Sequence, residues 1–431
     1  MNKKNLKRFH ISDIVHDFVM AQQEQMKDVQ TALLPVREAN QLKVIHSFQE
    51  NRLASHDFHS SSGYGYGEGG REKADRIFAD VFQTEDALVR PSIASGTHAL
   101  TLALQGLLLP GDEMLCISGL PYDTMQKIIG LRGSLPHSLK EYGITYRQTE
   151  LKDGAPDVDA IKNAITKNTR LIYLQRSGGY AGRPAIPIGV QKQVYEAIRS
   201  FTDLPIMVDN CYGEFTEEEE PTEVGANLIA GSLIKNPGGG IARAGGYIAG
   251  DADLIERISY RLTTPGIGRD IGISFDTIRE VLQGLYFAPH VTMEALHTAQ
   301  LFAGVYQTLG YTVTPGPNDE RSDIVQVIRM EDPEAVCRFC EAVQAAGSVD
   351  AYVTPVPWDM PGYSEQVIMA SSGFVEGSSI EVSADGPLKP PYHVFYQGGL
   401  SYDQGRLAVM KTVQALLEHG IIREEQLLNE I

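Results

Sequence analysis

Apolar residues in the first part of the chain recur at the spacing of successive helical turns. Between 11 and 57, Ile14, Phe18 and Met26, then Leu42, Ile45 and Phe48, stand among polar neighbours, which predicts helices. From about 71 to 265 the pattern changes. Short apolar runs (87–90, 113–118, 171–175, 206–209 and 227–234) alternate with amphipathic stretches (97–107, 124–131 and 188–201). That alternation predicts a mostly parallel sheet with helices on both faces. Residues 275–309 then read as one long helix or a pair broken at Pro289, since proline removes a helical hydrogen bond. Further runs at 323–329, 367–370, 379–383 and 393–396 predict strands of a smaller α+β domain. The expected division is an N-terminal helical arm over 1–70, a large domain over 71–265, linking helices over 266–310 and a C-terminal small domain over 311–431.

Composition narrows the class. The 431 residues are 42% hydrophobic and 21% charged, as in ordinary globular enzymes. A net charge of −18 opposes nucleic acid and anionic membranes as partners, because both would repel the chain. The start, Met1 to Arg8, is basic, but Ser12, Asp13, His16 and Asp17 follow where a signal peptide needs an apolar core. No apolar run is long enough for a bilayer. Four cysteines without framework spacing fit a reducing cytoplasm. Cys337 and Cys340 have CxxC spacing inside a helical pattern, with no second pair nearby, so they read as helix cysteines and no metal is expected.

Candidate chemistry centres on Lys235, in Ser232-Leu-Ile-Lys235-Asn-Pro-Gly-Gly-Gly240, where an apolar strand breaks into glycine. Burial there would lower the lysine pKa and free a nucleophilic amine, as a Schiff base requires. Upstream, 204–209 reads as a buried strand ending in Asp209, and a carboxylate at that end of a parallel strand faces the ligand crevice. Such a carboxylate can hold the ring-nitrogen proton of pyridoxal phosphate. In Arg90 to Leu104 a strand stops at Ser95-Gly96 and a helix begins. Free amides at Gly96, Thr97 and His98 make a phosphate cradle, to which Ser232 adds a hydroxyl. Tyr122, after Gly119-Leu-Pro, lies at the crevice edge, either as a packed core tyrosine or as an aromatic plate on the cofactor whose hydroxyl protonates a leaving group. Arg176 and Arg183 flank a glycine-containing loop; either one grips a substrate carboxylate or both serve structural pairing.

These segments, with Gly119-Leu-Pro-Tyr-Asp-Thr124, Val208 to Phe215, Ser232 to Gly246 and Gly377 to Pro387, resemble the fold-type I pyridoxal phosphate enzymes of cysteine and methionine metabolism. More closely, they are similar to the methionine gamma-lyase-like or aluminium-resistance family, over nearly the whole chain. The resemblance implies an α/β fold: a large domain on a mostly parallel, seven-stranded type of sheet and a smaller α+β C-terminal domain. It implies a pyridoxal 5'-phosphate-dependent carbon–sulfur lyase that converts a sulfur-containing amino acid by β- or γ-elimination to keto acid, ammonia and thiol. Lys235 would carry the cofactor, Asp209 its ring nitrogen, and Tyr122 would assist the leaving thiol. Another pyridoxal phosphate reaction (γ-replacement, transamination or aldol cleavage) uses the same core residues, and a non-catalytic stress or metal-resistance protein retaining the site is a further alternative. A homo-oligomer, dimer or tetramer, is also implied. In related enzymes a tyrosine and an arginine from the glycine-rich region reach a neighbouring subunit's phosphate, which here makes Tyr64, Tyr66 and Arg71 candidates. Gly65-Tyr-Gly-Glu-Gly-Gly70 also matches G-x-G-x-x-G, but Ser60-Ser-Ser62 precedes it instead of the strand a dinucleotide site needs. The chain departs from the family at Gly178, where a further arginine is usual, and its C-terminal carboxylate arginine is not obvious; Lys389 and Arg406 are the nearest basic candidates.

Overall fold

A computed structural model describes residues 1–133, 135–360 and 365–430. The chain forms two compact units, one of Glu38–Pro289 and one joining Met1–Arg37 to His290–Ile431. The apolar pattern predicts four segments where the chain forms these two units. The helix Asp13–Ala32 is no free arm: Val15, Phe18 and Val19 are fully buried in one core with Phe302, Tyr306, Phe339 and Tyr396. Each such side chain contributes roughly 1.5–3 kcal/mol by leaving water, so the helix belongs to its unit's core.

In the Glu38–Pro289 unit, seven strands form one sheet: β1 (Asp86–Arg90), β2 (Glu113–Cys116), β3 (Thr145–Gln148), β4 (Thr169–Gln175), β5 (Ile206–Asp209), β6 (Leu228–Ser232) and β7 (Gly246–Gly250). Their order is β1-β7-β6-β5-β4-β2-β3. All neighbours are parallel except β7, which runs antiparallel to both β1 and β6. Strands β2, β5 and β6 are buried at every position, which is why they read as continuous apolar runs. β7 escapes that pattern. It is bounded by Gly246 and Gly250, and a Cβ at Gly246 would lie 2.5 Å from Ile93 Cγ2, so packing demands a residue type that sequence reads as a turn. β3, half exposed at the sheet edge, carries no buried run either. Because β7 reverses direction twice over, the carboxyl ends of β1, β2, β4, β5 and β6 share one edge of the sheet. Ligands bind outside that edge in open α/β sheets.

The other unit holds a five-stranded antiparallel sheet: β8 (Thr312–Thr314), β9 (Gln326–Arg329), β10 (Val367–Ser371), β11 (Ser383–Pro387) and β12 (His393–Gln397), ordered β8-β9-β12-β11-β10. The helices Pro333–Ala345 and Tyr402–Glu418 share its core. The strand expected at 379–383 starts instead at Ser383. One helix, Ile278–Thr308, runs unbroken through Pro289, the first of the two readings that the sequence left open. No helix among the described residues is long and apolar enough to cross a membrane.

Candidate active site

Asp209 is the last residue of β5 and is buried. Its Oδ1 accepts from the Cys211 amide at 3.2 Å and its Oδ2 from the Tyr173 hydroxyl at 3.4 Å. Burial pushes its carboxyl above the ordinary aspartate range, against the opposing pull of the Lys235 charge and the Cys211 and Tyr173 hydrogen bonds. Lys235 follows β6 by one turn and is half-buried, its Nζ 3.8 Å from the Tyr212 ring centre. Asn236, fully buried, ties this turn to the loop after β5 by donating from Nδ2 to the carbonyls of Tyr212 and Glu214, at 3.0 Å each. Tyr212 (φ 74°) and Phe215 (φ 63°) in that loop take left-handed backbone that side chains rarely adopt, a strain that the surrounding bonds sustain.

Burial pulls the Lys235 ammonium down, but the surrounding Cys211, Tyr212, Asp209 and Tyr122 side chains together outweigh it and hold the amine above the ordinary lysine range. Depression by burial, expected from the apolar run, is therefore overturned: apolar neighbours in sequence are not the groups facing Nζ in space. The free chain carries a protonated amine, which must give up its proton before it can bond a carbonyl.

After β1, Ser95 caps the helix Gly96–Leu107, its hydroxyl accepting from the His98 amide at 3.1 Å. A Cβ on Gly96 would lie 3.0 Å from Cys211 Sγ and 3.2 Å from Ser232 Cβ, so the bare glycine brings the helix start against the ends of β5 and β6. Tyr122 meets this turn as well. Its hydroxyl is 2.9 Å from Thr97 Oγ1, and its backbone amide donates to Gln175 Oε1 at 2.9 Å. Burial, reinforced by the Asp209 charge, pushes the Tyr122 hydroxyl well up and keeps it a neutral proton donor. His98, half-buried, is held below the ordinary histidine range by burial and accepts from the Ala94 amide through Nδ1 at 3.0 Å. The structure thus brings Ser95, Gly96, Thr97, His98, Tyr122, Asp209, Ser232 and Lys235 to one edge.

Other candidates stand elsewhere or are already occupied. Arg176 is fully buried, with Nη1 donating to Asn210 Oδ1 at 2.8 Å and Nη2 pairing with Glu217 at 2.9 Å; Glu220 lies 3.5 Å away. It anchors the acidic 217–220 loop. Arg183 donates to the carbonyls of Gln175, Pro184 and Ser177 at 2.9, 2.9 and 3.2 Å, closing its own loop. A substrate grip by either would have to displace these bonds. Arg71 is buried and donates to the carbonyls of Gly65 (2.9 Å), Gly272 (2.6 Å) and Asp270 (3.3 Å), so it pins the glycine-rich turn to the loop before Ile273. Tyr64 and Tyr66, by contrast, are 72% and 66% exposed on that pinned turn, their rings 5.9 Å apart. Lys389 and Arg406 are held by Glu365 and Asp403.

Four residues emerge only in three dimensions: Tyr173, Gln175, Asn236 and Glu214. Tyr173 and Gln175 sit inside an apolar strand and read as core. Glu214 is fully buried, with Oε1 accepting from the Tyr247 hydroxyl at 2.8 Å and Oε2 without a hydrogen-bond partner among the described residues. Burial pushes its carboxyl up to about 8.

An amine, a buried carboxyl and a helix start laid bare by Gly96 beside a serine hydroxyl match the carbonyl, the ring nitrogen and the phosphate of pyridoxal phosphate. On this sheet they define a fold-type I pyridoxal phosphate enzyme. The chain belongs to the methionine gamma-lyase family, whose model matches residues 15–417. It is 46% identical over 390 residues to the "uncharacterized protein YnbB" of Bacillus subtilis, covering 90% of this chain and 93% of that one. A solved carbon–sulfur lyase involved in aluminium resistance from Clostridium novyi is 43% identical, with TM-score 0.93 over 96% of this chain and 99% of that one. The L-methionine gamma-lyase of Pseudomonas putida is 30% identical over 167 residues, 39% of this chain and 38% of that enzyme.

Proposed function

We propose that the protein is a carbon–sulfur lyase that takes a sulfur-containing amino acid and water to a keto acid, ammonia and a thiol by β- or γ-elimination. The observation carrying this reading is the convergence of Lys235, Asp209 and the Tyr122–Thr97 pair on one sheet edge. Pyridoxal phosphate bound there supplies an electron sink for the pair left at the substrate α-carbon. Asp209 holds the proton on the ring nitrogen. The amides of Gly96 and Thr97 and the Ser232 hydroxyl bind the phosphate, while the His98 amide stays with the Ser95 cap and braces the helix start. Lys235 moves the α-proton, and the neutral Tyr122 hydroxyl gives its proton to the departing sulfur. The relatives support the same chemistry, since the Clostridium novyi and Pseudomonas putida proteins are a carbon–sulfur lyase and a methionine gamma-lyase.

The working form in this proposal is a homo-oligomer in the cytoplasm, in which the exposed Tyr64–Tyr66 pair on its pinned turn serves the site of a second copy. Four free cysteines suit a reducing compartment. The test is to reduce the cofactor-loaded protein with borohydride, map the labelled peptide, and assay keto acid and thiol from a panel of thioether amino acids. A label on Lys235 with both products is expected. A label on another lysine, or neither product from any thioether, would overturn the reading.

A further inference from the structure

Glu214 brackets Lys235 from both sides along the chain. On one side its main-chain carbonyl accepts from Asn236 Nδ2 at 3.0 Å, which holds the residue just after the lysine. On the other its carboxyl lies across Gly231, on β6 before the lysine. A Cβ there would stand 2.6 Å from Glu214 Oε1 and 2.6 Å from Tyr247 Cε1, so only glycine lets the acid and the ring share this stretch of strand. Gly231 pairs with Tyr247 across the β6–β7 ladder, and the Tyr247 ring stacks on Phe82 at 5.1 Å and 9°. The hydroxyl that donates to Oε1 at 2.8 Å therefore comes from a fixed wall.

Glu214 and Asn236 are both fully buried, and each leaves one oxygen, Oε2 and Oδ1, without a hydrogen-bond partner among the described residues. An ionised carboxylate with an open oxygen is costly in such a place, and burial pushes this carboxyl up to about 8. The titratable groups facing it are Tyr247 from β7, Lys235 after β6, and Glu220 and Cys211 in the loop after β5; Glu220 in turn has Arg176 at 3.5 Å. The Lys235 charge draws the Glu214 carboxyl down, and coupling between two sites is reciprocal. An ionised Glu214 thus holds the Lys235 proton more tightly, whereas a neutral one adds nothing to that hold. We propose that Glu214 is a positioning residue for Lys235: as a neutral acid it clamps the turn that carries the amine, and its ionisation keeps the amine protonated. The proposal rests on Lys235 as the lysine that bonds pyridoxal phosphate. Bonding takes the free amine, which sheds its proton to solvent and displaces the carbonyl oxygen as water.

The full-length protein, freed of cofactor, is reloaded with pyridoxal 5'-phosphate from pH 6 to 9 as wild type, Glu214→Gln and Glu214→Ala. Uptake is followed by absorbance, the bond is fixed with borohydride, the labelled peptide is mapped, and circular dichroism checks the fold at each pH. Wild type should match Glu214→Gln at pH 6 and fall about 10-fold behind it in uptake rate by pH 9, the effect of about one unit of added proton affinity on the free amine. Glu214→Ala, which leaves nothing across Gly231, should load several-fold more slowly than Glu214→Gln throughout. Parallel pH profiles for wild type and Glu214→Gln overturn the proposal, because a merely structural glutamate leaves the profile alone. So does a folded Glu214→Ala that loads like Glu214→Gln; if Glu214→Ala does not fold, the profiles of the other two decide. A label on another lysine sinks the lyase reading and this proposal together, whereas a Lys235 label with parallel profiles sinks this proposal alone.

Discussion

Glu214 sets up a pH dependence that the fold must obey. Its carboxyl is fully buried against Tyr247, one oxygen lacks a partner among the described residues, and burial pushes it up to about 8 from an ordinary value of 4.5. Glu220 and Lys235 also act on it, the first raising and the second lowering it. Because the folded chain holds this proton more tightly than the unfolded chain, the stability it contributes is fully present below about pH 4.5 and is lost as pH rises toward 8. At about 1.4 kcal/mol per pH unit the loss is on the order of 5 kcal/mol, large against the stability of a typical domain. Glu214→Gln keeps an acceptor for the Tyr247 hydroxyl and cannot ionise. Urea unfolding of wild type and Glu214→Gln from pH 5 to 9 reads the effect, and taking the difference between them cancels the titration of every group that does not interact with Glu214. The variant should gain on wild type steadily up to about pH 8 and level off beyond it. A difference that does not change with pH, or wild type gaining on the variant as pH rises, would refute the assignment of a protonated Glu214.

Two further substitutions separate chemistry from scaffolding. Asp209→Asn should retain pyridoxal phosphate, measured by its absorbance after gel filtration, while kcat falls by roughly 100-fold or more, since an amide cannot hold the ring proton by charge; turnover at the wild-type rate would remove Asp209 from the mechanism. Arg71→Ala, which deletes three bonds to carbonyls, should cost about 2–4 kcal/mol of stability, whereas Tyr66→Ala should leave the melting temperature unchanged and weaken cofactor affinity. Mixing Tyr66→Ala with Lys235→Ala subunits should restore some of the activity if sites are shared, and two stable variants that exchange subunits without any recovery would speak against it.

Features written in local pattern are legible in the chain before it folds. The runs ending at Arg90, Gln175, Asp209 and Ser232 are strands because parallel strands buried on both faces need continuous apolar residues. Ser95 and Gly96 announce a helix start, and Lys235 beside glycines announces an amine at a strand end, so the main candidates stand out from their neighbours in sequence alone. Features that depend on residues distant along the chain come from the folded arrangement. Packing makes the first long helix share a core with Phe302 and Tyr396, and it carries the helix of Pro289 through without a break. It also raises the Lys235 amine above its ordinary range, because the groups around it, Cys211, Tyr212, Asp209 and Tyr122, come from the ends of other strands and are invisible in the apolar residues beside it. The arginines show the same limit: Arg71 and Arg176 are alike as letters. Whether each pins a turn or holds an acidic loop follows from which carbonyls and carboxylates the fold delivers to it, since a guanidinium's role is set by its partners.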